Sequence, residues 1–218
     1  MTYEEIKNNA SVRVYVKAAD DTLATLGFTE HSFAHVTAVA EKTGYILETL
    51  GYSPRMVELG KIAGFLHDIG NLINRVDHSQ SGAMMAFRIL DHMDFLPDET
   101  ALIVSAIGNH DEGTGVPVSP LAAALILADK SDVRRSRVRN TEFTNFDIHD
   151  RVNYSVTKAE LKINEAHSLI KLKLQIDTRV GSVMEYFEIF MDRMILCRKA
   201  ADKLGLKFKL MINEQQLI

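Results

Sequence analysis

The chain has 218 residues, 46% of them hydrophobic and 25% charged, with a net charge of −4. That is enough apolar material for one large domain or a medium domain with an appendage, and there is no basic excess of the kind nucleic-acid backbone binding requires. A single cysteine, Cys197, a polar N-terminus and no apolar run near the roughly 18–20 residues of a membrane span predict a cytoplasmic protein without disulfide or membrane partner.

Residues 1–140 read as a succession of helices. Thr2, with Glu5 three residues on, is a capping-box signature, and Gly27 stops the first helix. A second helix is predicted over 30–50, closed by Gly51, with Phe33, Val36, Ala40, Leu47 and Leu50 on its apolar stripe. Ser53 and Pro54 supply the N-cap and first-turn proline of a third, which runs into Leu66. "SGAMMAFRILDHM" and "PDETALIVSAIGNH" carry two more, and Ser119-Pro120 starts a sixth through "LAAALILADKSDV".

Beyond Asn140 the period becomes alternating. "VNYSV" places Val152, Tyr154 and Val156 on one face, and "LIKLKLQI" places Ile170, Leu172, Leu174 and Ile176 opposite lysines and a glutamine. A helix over 179–204, stopped by Gly205, and an alternating "LKFKLMI" complete a ββαβ unit. The expected architecture is mainly α: a helical bundle over 1–140 and a small C-terminal α+β unit over 141–218. The unit's unpaired sheet edge predicts a homodimer.

Five of the eight histidines sit where helices begin, end or present one face: His31, His35, His67, His78 and His110. A lone buried histidine is more often a satisfied core residue than a ligand. Five of them, together with Asp68 and Asp129, are harder to explain that way. Imidazole and carboxylate without thiolate favour zinc, iron, nickel or manganese. Neighbours on a helix diverge by about 100°, yet the adjacent pair in "GFLHDIGN" can serve together if His67 binds one ion and Asp68 reaches to bridge a second.

In order, "HVTAVA", "LHDIG", "HSQSGA", "AIGNH" and "LADKSD" resemble the successive motifs of the HD-domain superfamily of metal-dependent phosphohydrolases, over roughly residues 28–140. The resemblance implies a helical HD-domain bundle with His35, His67, Asp68 and Asp129 as core ligands. It also places His78 and His110 where two-metal members hold a second divalent ion, making two ions per chain. Asp68 becomes the bridging carboxylate. "LADKSDVRRSR" and the compact spacing are most similar to the bacterial diadenosine-tetraphosphate hydrolases. "IGNHDEGTGVP" is more distantly similar to the HD-GYP cyclic-dinucleotide phosphodiesterases, with Asp111 in place of their second histidine and Val116 in place of their tyrosine. The implied reaction is hydrolysis of a phosphate ester or anhydride in a nucleotide or another small phosphorylated metabolite. A di-iron oxygenase and a non-catalytic nucleotide sensor are the alternatives compatible with the same ligand set.

Around this set, Lys130 and Arg134 are the cations expected to stabilise phosphoryl oxygens, while Arg135, Arg137 and Arg139 read as a solvated face. Asp132 is expected to pair with one of these cations. His31 either serves a third ion or the substrate, or caps its helix beside Glu30. Asp111 either ligates, orients His110 or faces solvent. His92, His149 and His167 read as surface residues, and Met84 and Met85 as core filler.

Overall fold

The computed structural model describes residues 1–217. The Thr2–Glu5 capping box opens α1 (Tyr3–Asn8), but the helix then breaks. Asn9 is extended, and its side chain caps α2 (Ala10–Thr25) by accepting from the Val12 N–H. The single helix expected up to Gly27 is therefore two, because an asparagine side chain competes with the helical ladder for backbone N–H groups. Gly27 does end α2, at φ +83°. α3 (Phe33–Thr49) starts later than its apolar stripe suggests, because Ser32 caps it rather than Glu30. α4 (Pro54–Leu66) begins from Ser53 as read. A 3-10 turn (Ile69–Leu72) leads to α5 (His78–His92), α6 (Pro97–Gly108) and α7 (Pro120–Lys130).

α7 is the hub. Leu121 through Ala128 are all buried, as expected of a helix that is apolar on every side and central to its domain. α3, α4 and α6 pack on it, and so does a helix from the C-terminal part, α9 (Val183–Lys203). One hydrophobic core thus runs across residue 140, from Tyr3 to Ile212.

The first C-terminal strand lies elsewhere than expected. Val152 and Tyr154 belong to α8 (Ile148–Ser155), capped by the Asp147 carboxylate, which accepts from the Asp150 N–H at 2.8 Å. Ile148, Val152 and Ser155 share one helix face, the last two buried. That helical spacing and its cap outweigh a five-residue alternation. The strand follows as β1 (Val156–Ile163), whose Ala159, Leu161 and Ile163 pair with Leu174, Leu172 and Ile170 of antiparallel β2 (Leu169–Ile176). The alternating residues of β2 are buried as read. α9 crosses over to β3 (Lys207–Ile212), parallel to β2. Asn213 and Glu214, both at positive φ, then turn the chain into the short β4 (Gln215–Gln216). The ββαβ core is present, preceded by α8 and extended by β4. Among the described residues no helix is long and apolar enough to cross a membrane.

Candidate metal centre

Six side chains from five segments converge. His35 lies in the first turn of α3, His67 at the end of α4, and Asp68 just before the 3-10 turn. His78 is the first residue of α5, His110 follows α6, and Asp129 sits in the last turn of α7. The glycines of "GFLHDIG" make this convergence possible. A Cβ on Gly64 would lie 2.7 Å from the Ala40 Cα, so α4 runs directly against α3. A Cβ on Gly70 would lie 2.0 Å from the His78 carbonyl oxygen and 2.4 Å from the Gly82 nitrogen. Only glycine lets the turn after Asp68 press against the first turn of α5.

Each imidazole is fixed by an oxygen that can only accept. His67 Nδ1 meets the Gly64 carbonyl at 2.8 Å, His110 Nδ1 the Ile107 carbonyl at 2.6 Å, and His78 Nδ1 the Arg75 carbonyl at 3.1 Å. His35 Nδ1 meets the Asp132 carboxylate at 2.8 Å. All four Nδ1 atoms therefore carry a proton and donate it, which turns the four Nε2 atoms, the ligating positions, inward. Asp132, expected to serve a cation, does so through Lys42 and Arg134 at 3.4 Å each, but its closest partner is His35.

The inward atoms fall into two groups joined by Asp68. Its Oδ2 lies 3.4 Å from His35 Nε2 and 3.2 Å from His67 Nε2, which are themselves 3.4 and 3.6 Å from Asp129 Oδ1. An ion with bonds of about 2.0–2.1 Å in tetrahedral array needs donors about 3.3–3.4 Å apart. Its other oxygen, Oδ1, lies 3.5 Å from His78 Nε2 and 3.9 Å from His110 Nε2. The last two atoms face each other at 3.2 Å. Two lone pairs opposed at that distance repel unless a cation lies between them. His35 Nε2 and His67 Nε2 are buried without a hydrogen-bond partner, an arrangement native proteins avoid unless the atoms have another use. The donor set fits divalent metal: His35, His67 and Asp129 lie close enough together to hold an ion, and so do His67, Asp68 and His110.

The electrostatics agree. Burial alone would lower the pKa of His67, but Asp68 and Asp129 outweigh it and raise it to about 10. Burial likewise opposes ionisation of Asp68 and Asp129, yet both are held well below the ordinary carboxylate range, Asp68 by His67 and His35, and Asp129 by Lys130, His35 and His67. His110 is pushed well down by burial and by the charge of His67. The centre is thus built to hold positive charge around two ionised carboxylates.

The centre opens into a cleft of about 370 Å³, with Asp68, His78 and Asp129 in its wall. Lys130 lines it, buried, 2.8 Å from Asp129 Oδ2 and 2.6 Å from Glu112 Oε2. Arg134 does not line it. Its guanidinium lies 2.8 Å from Glu30 Oε2 and 3.4 Å from Asp132 Oδ2, so the expectation that it faces the reacting phosphate is corrected. The cleft's other cations are Arg75, Arg137 and Arg193. Arg137 is a buried residue, not part of a solvated face; it donates to the backbone carbonyls of Glu30 and Asp132 at 2.9 Å each.

Arg193 comes from α9 and bonds Glu112 Oε1 at 2.8 Å. The C-terminal unit therefore reaches Asp129 through Arg193, Glu112 and Lys130 in series. Arg193 has no motif of its own, whereas Glu112 lies within "IGNHDEGTGVP", just after α6. His31 does not cap α3. Its Nδ1 meets the Thr29 carbonyl at 2.7 Å, and its ring lies edge-on to His35, facing the cleft. Asp111 is partly exposed, with Oδ1 3.9 Å from His78 Nε2. His149, an exposed residue as read, stands at the cleft wall.

Residues 32–134 match the family model described as HD domain. An uncharacterised protein of Methanocaldococcus jannaschii, MJ1020, is 26% identical over 186 residues, covering 74% of this chain and 71% of that one. A crystal structure of a predicted HD superfamily hydrolase from an uncultured Thermotogales bacterium is 22% identical, with a TM-score of 0.44, over 60% of this chain and 73% of that one.

Proposed function

We propose that this chain, whose residues 32–134 match the HD-domain family model, hydrolyses a phosphate ester or anhydride in a nucleotide or similar small metabolite at a two-metal site. The observation that carries the reading is the division of Asp68. One carboxylate oxygen faces His35 and His67, and the other faces His78 and His110. That division would let Asp68 serve both groups if two ions are bound. Bound there, divalent ions would supply Lewis acidity, acidifying water and neutralising charge on phosphoryl oxygens.

The chain's own residues do the rest. Asp132 and the carbonyls of Gly64, Arg75 and Ile107 hold the imidazoles in the tautomer that ligates. Lys130 stays protonated despite its burial, because Asp129 and Glu112 flank it, and it presents positive charge to the cleft beside the metal carboxylate. Arg75 and Arg193 add forks suited to phosphate oxygens from two further directions of the chain. Together these groups would draw a phosphate inward and offset charge that grows as the ester bond breaks.

The test is phosphate release from a panel of nucleotides, dinucleoside polyphosphates and sugar phosphates by metal-free protein reloaded with manganese, iron, zinc or nickel. Metal-dependent turnover of at least one ester, abolished in Asp68→Ala, is expected. Oxygen consumption by the iron-loaded protein, with every ester left intact, would replace this reading with an oxygenase.

A further inference from the structure

A second cavity, of about 380 Å³, shares no lining residue with the metal cleft. It forms where three pieces of the chain meet: Lys42 of α3, the segment 132–136 after α7, and the start of β1. Four cations line it, Lys42, Arg134, Arg135 and Lys158, against one carboxylate, Asp132. That carboxylate is already committed. Its Oδ2 lies 2.8 Å from His35 Nδ1, and Lys42 and Arg134 each reach it only at 3.4 Å. Arg134 is occupied elsewhere, donating to Glu30 Oε2 at 2.8 Å and Ser136 Oγ at 2.6 Å. Lys158 Nζ has no carboxylate nearer than Glu160 at 3.9 Å, and Glu160 lies closer to Lys162, at 2.8 Å. Arg135 uses only its Nε, which donates to the Tyr154 carbonyl at 2.7 Å, while its guanidinium stacks 4.4 Å from the centre of the Tyr154 ring. Anchored at two points, it keeps both terminal nitrogens without an acceptor among the described residues.

The backbone adds a donor. β1 is the edge strand of its sheet. Ile163 N–H turns away from β2 toward the Tyr45 hydroxyl of α3, at 3.4 Å. By the two-residue period of a strand, Ala159 N–H turns the same way, along the free edge that borders the cavity. We infer that this cavity is a phosphate-binding site separate from the metal cleft, taking the free ion or the phosphate end of a small metabolite. The anchored Arg135 fork matches two phosphate oxygens, and the ammonium groups of Lys42 and Lys158 and the edge amide serve the others. The volume lies at the small end of ligand pockets, which run from about 300 to 1,000 Å³. Nothing in this inference depends on the reaction performed at the metal centre.

The test is a nuclear magnetic resonance titration of the zinc-loaded, ¹⁵N-labelled full chain with inorganic phosphate and, separately, glycerol 3-phosphate, at constant ionic strength held with chloride. The Ala159 amide and the Arg135 Nε–H should shift and saturate with at least one probe. Saturation by the ion alone assigns the site to free phosphate, and saturation by the ester assigns it to a metabolite. Arg135→Gln should weaken the Ala159 response by about tenfold or more, the worth of a charge-assisted hydrogen bond. Lys158→Gln, at an exposed side chain that the fold does not need, should weaken it as well. The amides of Gly27 and His78, in the wall of the metal cleft, report phosphate bound there, and neither variant should change their response. The inference is overturned if the Ala159 amide stays still with both probes, if it shifts equally with chloride alone, or if it saturates at the same concentration in wild type and both variants.

Discussion

Replacing Asp132 with asparagine isolates what the carboxylate behind His35 contributes. The side chain keeps its size, and its remaining oxygen can still accept from His35 Nδ1, now 2.8 Å away. What is lost is the charge that fixes the imidazole's tautomer and raises the basicity of Nε2, together with the contacts to Lys42 and Arg134 at 3.4 Å. An asparagine can also rotate to present its NH₂, which would force the wrong tautomer and turn a proton toward the metal position. Removing an outer partner of a ligating histidine typically costs 10–100-fold in metal affinity, about 1.4–2.7 kcal/mol. The effect should be confined to the group containing His35, His67 and Asp129, because His78 and His110 are held by backbone carbonyls that this change leaves alone. Competition titration of metal-free protein against a chelator of known affinity, read as two separate binding steps, measures it. Equal weakening of both steps, or of neither, would refute the reasoning.

Three further outcomes follow from the same structure. Because Asp68 and Asp129 hold His67 protonated up to about 10 in the metal-free protein, an entering ion must displace that proton; affinity should rise about tenfold per pH unit from 7 towards 10. Calorimetry in buffers of different ionisation heat should show proton release, and a pH-independent affinity would contradict the claim. Cys197 is 1% exposed and burial pushes its thiol up to about 12, so a thiol reagent should label the unfolded chain promptly and the native chain not at all. Gly70→Ala must displace the His78 carbonyl or the Gly82 nitrogen. It should destabilise the protein by about 4 kcal/mol or more in denaturant melts, and a loss below about 1 kcal/mol would show that the turn can move.

That these histidines and aspartates gather at helix ends was legible in the sequence, because helix ends are marked by local chemistry; their reading as one ligand set rests on the resemblance to the HD-domain superfamily. Ser53-Pro54, Gly51 and Ser119-Pro120 could be read directly, and they place His67 and Asp129 in the last turns of their helices. The partners around the centre were not legible. Arg193 and Glu112 are 81 residues apart, and nothing local announces that α9 packs on α7. Arg137 looked like one more charge in a basic run; only the fold reveals that its guanidinium satisfies two backbone carbonyls in the interior. A helix continued past Asp129 would put Arg134 about one turn beyond it, but α7 ends at Lys130 and Arg134 does not line the cleft. Near α8, the short alternation of "VNYSV" concealed a helix because its decisive signal, the Asp147 cap, precedes it. The mirrored alternation of Ala159, Leu161 and Ile163 with Lys158, Glu160 and Lys162 marks the true strand.

Metal stoichiometry under saturating manganese, for untagged wild type and Asp68→Ala in parallel, tests the two-metal account most directly. The wild-type chain should bind two ions and the variant should lose both high-affinity positions while keeping its fold by circular dichroism. A single ion per chain, retained at full affinity by Asp68→Ala, would contradict it.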